Sequence, residues 1–170
     1  MNKHHQEILD AIKKTSKKKS GYKDDNAYVG SQDIVYSITV PKEREIAKTF
    51  AKEHKDISQE EFESLLISLS KGDSHEEKSM PGKLLTSFPE LRKNLDIQKI
   101  DLILDNIAGW AQIDSLCSGA IPFEVMITKW NEWEKLLEKW SDSSNLNKQR
   151  AAIVFLVSPC SKSPDKRFLD

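Results

Sequence analysis

The sequence is poor in cysteine, glycine and proline, with two, six and six of them among 170 residues. So few glycines and prolines leave few obligatory turns and breaks, which suits a mostly helical chain. Cys117 and Cys160 cannot build a disulfide framework. With a polar N-terminus and no secretory signal, they read as reduced thiols of a cytoplasmic protein. No apolar run is long enough to span a bilayer, so no membrane partner is expected. The net charge is −1, so any nucleic-acid surface must come from uneven placement of charge rather than from the total. There is no glycine-rich phosphate loop, no Cys/His group at zinc spacing and no G-x-S-x-G elbow. His4 and His5 lie at the chain end, and His54 and His75 have no partner nearby in the sequence. All four read as surface histidines, and no metal or cofactor is expected.

What is present is one soluble domain's worth of hydrophobic and charged residues, 38% and 31% of the chain, spanning residues 1–170. The apolar residues recur at helical steps. Ile8, Leu9 and Ile12 form a first short face, followed by the basic run Lys13, Lys14, Lys17, Lys18 and Lys19, which reads as a solvated helix end. A short helix is predicted around residues 25–31, then an extended segment up to Pro41, which opens a helix carrying Ile46, Ala47, Phe50 and Ala51. Ser58 with Glu61 and Ser74 with Glu77 are capping boxes. Pro81 falls inside the second of these helices and is expected to bend or restart it. Asp96 caps the next helix. Pro122 opens one long helix running from Phe123 past Trp130 and Trp133 to Trp140. Ser144 or Asn145 caps the last helix, which Pro159 stops. No stretch alternates as a strand does. The fold class is therefore all-α, an α-solenoid of HEAT-like antiparallel helix pairs with a concave face for an extended partner, with a compact bundle as the alternative.

The most informative stretch is Gly-Trp-Ala-Gln-Ile-Asp, residues 109–114. Gly109 is expected to end one helix in a left-handed cap. If the next helix starts at once, Trp110 and Asp114 share a face, indole beside carboxylate. An indole face attracts cations and a carboxylate adds a full negative charge, so the pair suits a substrate that is or becomes positively charged. The alternative places Trp110 in the core and Asp114 at a helix cap.

Four stretches in order resemble the DNA alkylation repair enzymes, the DNA glycosylases built of HEAT-like repeats. They are Tyr28 followed by VGSQDIVYSITVPKER (residues 29–44), HEEKSMPGKLL (residues 75–85), GWAQIDSLC (residues 109–117) and the tryptophan-to-arginine run within residues 133–157. The resemblance implies a monofunctional enzyme that excises cationic N3- or N7-alkylated purines from double-stranded DNA and needs no partner subunit. It implies Asp114 as the catalytic carboxylate, Trp110 and Tyr28 lining the lesion cleft, and Arg150 on the DNA backbone. No metal or redox cofactor is implied. The chain departs from the family in having Asn147 where an aromatic residue is usual. It also departs in stopping at SPDKRFLD (residues 163–170), where about one further repeat carrying another cleft tryptophan is expected. Two other readings stand beside this one: a HEAT-like DNA-binding protein without catalysis, and a helical-repeat scaffold for proteins.

Overall fold

Several of the helices form where the sequence supplies both a cap and a periodic apolar face. A computed structural model describes residues 2–16, 22–23, 31–118 and 120–162. Helix α1 (Lys3–Thr15) starts on Asn2, whose side chain accepts the His4 amide at 2.8 Å. Helix α2 (Val40–Glu53) carries Pro41 in its first turn and buries Ile46, Ala47 and Phe50. Helices α3 (Gln59–Ser70) and α4 (His75–Ser87) begin with complete capping boxes, Ser58 with Glu61 and Ser74 with Glu77. Helix α5 (Pro89–Lys93) is short, and α6 (Gln98–Leu104) follows Asp96, whose carboxylate accepts the Gln98 amide at 2.9 Å. Then come α7 (Trp110–Cys117), α8 (Phe123–Thr128), α9 (Trp130–Ser141) and α10 (Leu146–Lys162). Asn145 caps α10, its side-chain oxygen accepting the Asn147 amide at 2.9 Å.

Every substantial helix-to-helix contact joins elements no more than three apart in chain order. That locality is how stacked helical repeats bury a core, and the fold is an all-α helical repeat. Helix α4 lies at its centre, against α2, α3 and α7. Among the described residues, strand structure is confined to an antiparallel pair, β1 (Tyr22–Lys23) with β2 (Ile34–Val35). The Ile34 amide donates to the Asp73 carbonyl at 3.0 Å and the Tyr36 amide to the Glu76 carboxylate at 3.0 Å. These bonds strap the segment before α2 onto the start of α4. No helix among the described residues is long and apolar enough to cross a membrane.

Three expectations about breaks need correction. Pro81 does not restart α4. The helix runs through it, with Met80, Pro81 and Gly82 all buried, so packing overrides the missing amide bond. The predicted long helix from Pro122 is instead two, divided at Lys129 (φ −122°, ψ 30°). Thr128 donates its hydroxyl to the Val125 carbonyl at 2.8 Å, competing with the helix ladder, and Lys129 reaches the Leu95 carbonyl at 3.3 Å. Pro159 does not stop α10, which continues to Lys162. It falls late in the helix and its ring is buried, so little of the ladder is lost. The helix predicted around residues 25–31 lies almost wholly outside the described residues, as do Lys17, Lys18 and Lys19 and residues 163–170.

The far end of the fold is closed by aromatic packing and one acidic residue. Trp140 stacks on Phe155 at 5.8 Å, and Trp133 packs against both. The Trp140 Nε1 donates to Asp101 at 2.7 Å, and Lys139 and Lys148 donate to the same carboxylate at 2.6 and 2.7 Å. Burial pushes the Asp101 carboxyl up, but these three donors outweigh it and hold it at about 2, below the ordinary 3.8. A carboxyl lowered on folding contributes stability that is complete above its unfolded value and is lost as pH falls through its folded one. Stability is therefore expected to decline between about pH 4 and about pH 2. Urea melts across that range should show the decline for the wild-type chain and a shallower one for Asp101→Asn. That variant should also unfold about 2 kcal/mol more easily at pH 7, because the charge that accepts from Trp140, Lys139 and Lys148 is lost, Lys148 keeping only Asp105 among the described residues.

Candidate functional site

Helix α7 begins abruptly because of Gly109. This residue has φ 82° and ψ 152°, a backbone region essentially closed to residues with a Cβ. The expectation that Gly109 ends the preceding helix is corrected here. Helix α6 stops at Leu104, and Gly109 is instead the N-cap of α7. The requirement for glycine is real, but it serves a helix start. The loop before it is pinned by buried Gln112, whose side-chain oxygen accepts the Ala108 amide at 2.9 Å. The Gln112 amide group donates to Asp33, which also takes an ion pair from Lys78 at 2.5 Å.

Trp110 and Asp114 both lie on α7, one turn apart. Trp110 is 38% exposed and does not belong to the core. Asp114 is half-buried and bound by both prongs of the Arg150 guanidinium, Nε to Oδ1 at 2.9 Å and Nη2 to Oδ2 at 2.8 Å. The hydrogen bonds to Asp114 raise the Arg150 pKa above its ordinary value. The structure thus pairs two of the four residues expected from the sequence, Asp114 and Arg150, and sets Trp110 one helical turn from Asp114. Tyr28 lies outside the described residues.

Beside Asp114 opens a groove of about 460 Å³ whose walls include Arg44 and Lys48 of α2, Lys83 and Thr86 of α4, and Ser115 of α7. Lys83 lies 2.7 Å from the buried Glu43 carboxylate and also donates to the Ser115 hydroxyl at 3.1 Å. Arg44 and Lys48 are exposed, and among the described residues neither is ion-paired. With Lys52 they repeat every fourth residue along α2 and line an adjoining surface hollow. Such spacing aligns three positive charges on one face. The groove therefore carries two cations unpaired among the described residues, Arg44 and Lys48, across from the Asp114 carboxylate, while Lys83 is balanced by Glu43 and Trp110 lies one helical turn from Asp114 outside the lining. Chemically it can hold a polyanion and offer one fixed negative charge to a cationic centre within it.

The sequence reading missed Lys48, Lys52 and Lys83 as members of this surface. The four-residue spacing of Arg44, Lys48 and Lys52 was the available signal. Lys83 carried none, because α4 meets α2 and α7 only in three dimensions. Neighbouring Cys117 is buried and free, and burial, then the charge of Asp114, pushes its thiol well up. Among the described residues, His4, Glu7 and His54 are the metal-ligating side chains that converge, and none of them lines this groove.

Comparison with known proteins bears on the same residues. No curated protein matches the chain. The family model described as "DNA alkylation repair enzyme" matches residues 6–170, a span that takes in the wall, the indole and the carboxylate. With the match running over nearly the whole length of an all-α helical repeat, the chain belongs to the DNA alkylation repair enzyme family, whose work is DNA repair.

Proposed function

We propose that the chain is a DNA glycosylase that releases cationic N3- or N7-alkylated purines from duplex DNA, with Asp114 as its catalytic carboxylate. The observation that carries this reading is the position of Asp114. It lies at the edge of a groove walled by Arg44, Lys48 and Lys83, one helical turn from exposed Trp110. Alkylation leaves a positive charge on the purine and weakens its bond to the sugar. When the C1′–N9 bond breaks, its electron pair neutralises the departing base and the positive charge passes to the sugar. A carboxylate held against the sugar stabilises that charge and orients a water, whose oxygen bonds to C1′ as its proton is lost to Asp114 or solvent. The products are the free alkylated base and an abasic site. The ring face of Trp110, and that of Tyr28, suit contact with the cationic nucleotide.

Arg150 supports the same reading. Its single guanidinium fork is satisfied by Asp114 in the free chain. A phosphate offers the same bidentate geometry. A backbone phosphate that drew Arg150 away would leave Asp114 unneutralised beside the sugar. The pair itself also motivates a second reading, in which the carboxylate only positions Arg150 and the chain binds DNA without cutting. Release of 7-methylguanine from methylated duplex DNA separates the two. Release supports the glycosylase, and its absence alongside salt-sensitive duplex binding supports the binding module.

The wall makes its own prediction. Binding to duplex DNA should weaken steeply as salt rises, because each contacted phosphate releases counterions. Arg44→Gln and Lys48→Gln are each expected to reduce the slope of log affinity against log salt by about 1 and to weaken binding alike for all sequences. Fluorescence anisotropy at several salt concentrations measures this, and an unchanged slope in both variants would remove α2 from the interface.

A further inference from the structure

We propose that His4, Glu7 and His54 form a binding site for a divalent transition-metal ion of the zinc class, joining α1 to the end of α2. His4 and Glu7 are three apart on α1 and so share a face. His54 is the C-cap of α2, just past the last helical residue. One donor atom from each lies within 4.8 Å of the other two. The His54 Nε2 is 2.7 Å from one oxygen of Glu7, and the His4 Nδ1 is 3.7 Å from the other. A four-coordinate zinc with bonds of about 2.05 Å holds its donors about 3.3 Å apart. The two separations, one to each Glu7 oxygen, fall on either side of that value, and the three donor atoms lie within 4.8 Å of one another, so modest side-chain shifts bring them into register.

Two further features mark a metal site rather than a chance meeting of side chains. The His4 Nδ1 is shielded from solvent and makes no hydrogen bond. A buried ring nitrogen facing a carboxylate just beyond hydrogen-bonding reach is a donor that an ion would satisfy. The rings are also already oriented. Phe50 stacks on His54 at 4.2 Å and meets His4 edge-on at 5.6 Å, and the two imidazoles lie 4.7 Å apart at 75°. Pre-oriented rings lose little freedom when they ligate. Two imidazoles and a carboxylate, with water in the remaining position, suit zinc, whereas magnesium and calcium prefer all-oxygen sets. Glu7 also lines a groove of about 460 Å³ between α1 and α2, which gives the ion a path in. None of the three residues lines the groove beside Asp114. The site's role is to fasten the first helix to its neighbour.

The test is titration of the whole chain, cleared of metal with a chelator, with Co²⁺ as a spectroscopic probe and Zn²⁺ as competitor. The expected result is one Co²⁺ per chain, with visible bands of a low-coordinate site and no sulfur-to-metal charge-transfer band. Zn²⁺ should displace the Co²⁺, and saturating Zn²⁺ should raise the melting temperature. Glu7→Gln and His54→Gln should each lower affinity at least about tenfold while keeping the wild-type circular dichroism, and Cys160→Ser should bind as the wild type does. The absence of a saturable cobalt spectrum from the wild-type chain overturns the proposal. So does a spectrum with a sulfur band that disappears in Cys160→Ser, or affinity unchanged in both ligand variants. If either ligand variant fails to fold, the wild-type stoichiometry and the presence or absence of the sulfur band still decide the matter.

Discussion

Asp114→Asn is expected to lower release of 7-methylguanine from methylated duplex DNA by at least about a hundredfold while leaving duplex binding intact. The substitution keeps the shape of the side chain and removes its charge. Under the proposed mechanism that charge faces a sugar that becomes positive as the base departs. Withdrawing one preorganised electrostatic partner of a transition state typically costs a factor of about 10² to 10³ in rate. Binding should behave differently. Arg150 is tied to Asp114 by two hydrogen bonds in the free chain, and an asparagine holds it less firmly. The guanidinium is then freer to meet a phosphate, so affinity for duplex DNA should hold or rise. Single-turnover release measured beside anisotropy distinguishes these effects. Unchanged release in the variant removes the catalytic assignment, and a parallel loss of release and binding makes Asp114 a positioning residue for Arg150.

Gly82→Ala is expected to lower stability by about 3 kcal/mol. Gly82 lies in α4, where that helix crosses α7. A Cβ placed there would come within 2.6 Å of the Ser115 carbonyl carbon and overlap its oxygen. The obstacle is backbone, so no rotamer change relieves it, and α4 and α7 must separate. For a chain of this size the loss corresponds to a fall in melting temperature of roughly 10 °C. Function should suffer beyond stability, because Ser115 follows Asp114 and the same shift moves the carboxylate away from the α2 wall. Thermal melts and release assays at a temperature where the variant remains folded separate the two consequences. A melting temperature within about 2 °C of wild type would mean that the helices accommodate the methyl and that their close approach is not required.

The features legible in the sequence were those written within one or two helical turns. The Ser58/Glu61 and Ser74/Glu77 boxes need only residues three apart, and both are complete. The Trp110 and Asp114 pair was likewise a matter of spacing within one helix, and α7 does start at Trp110. Breaks were harder, because they depend on what the neighbouring helices offer. Pro81 and Pro159 looked like interruptions, yet both are absorbed by packing. Lys129 carries no breaking signal of its own, yet it ends α8 while reaching Leu95 on a distant stretch. The histidines illustrate the same limit. His5 read as a surface residue, but it is buried, with Ser68 at 2.9 Å and Glu77 at 2.7 Å on its two ring nitrogens. His54 had no partner nearby in the sequence, and its partner Glu7 lies 47 residues away. Within the candidate site, the expectation of Asp114, Arg150 and Trp110 came from their resemblance to a family pattern, and the Asp114–Arg150 pairing joins residues 36 apart in sequence. The wall of Arg44, Lys48 and Lys83 was not assembled, because it takes α2 and α4 lying side by side to make one surface.

The locality of the packing has a consequence for how the molecule is made. Because most helix contacts join elements no more than three apart in chain order, most of the packing closes short loops, with longer ones where Glu77 meets His5 and Gln112 meets Asp33. Low sequence separation favours fast folding, and a growing chain can fold progressively from its N-terminal side during synthesis. Helices α2, α3 and α4 can join before α7 has been made, which sets Arg44, Lys48 and Lys83 in place early. Helix α7 then delivers Asp114 against a positive surface already formed, and α10 follows with Arg150. Ribosomal synthesis thus sets the α2 and α4 cations in place first, and Asp114 meets its bidentate partner Arg150 only once α10 has been made.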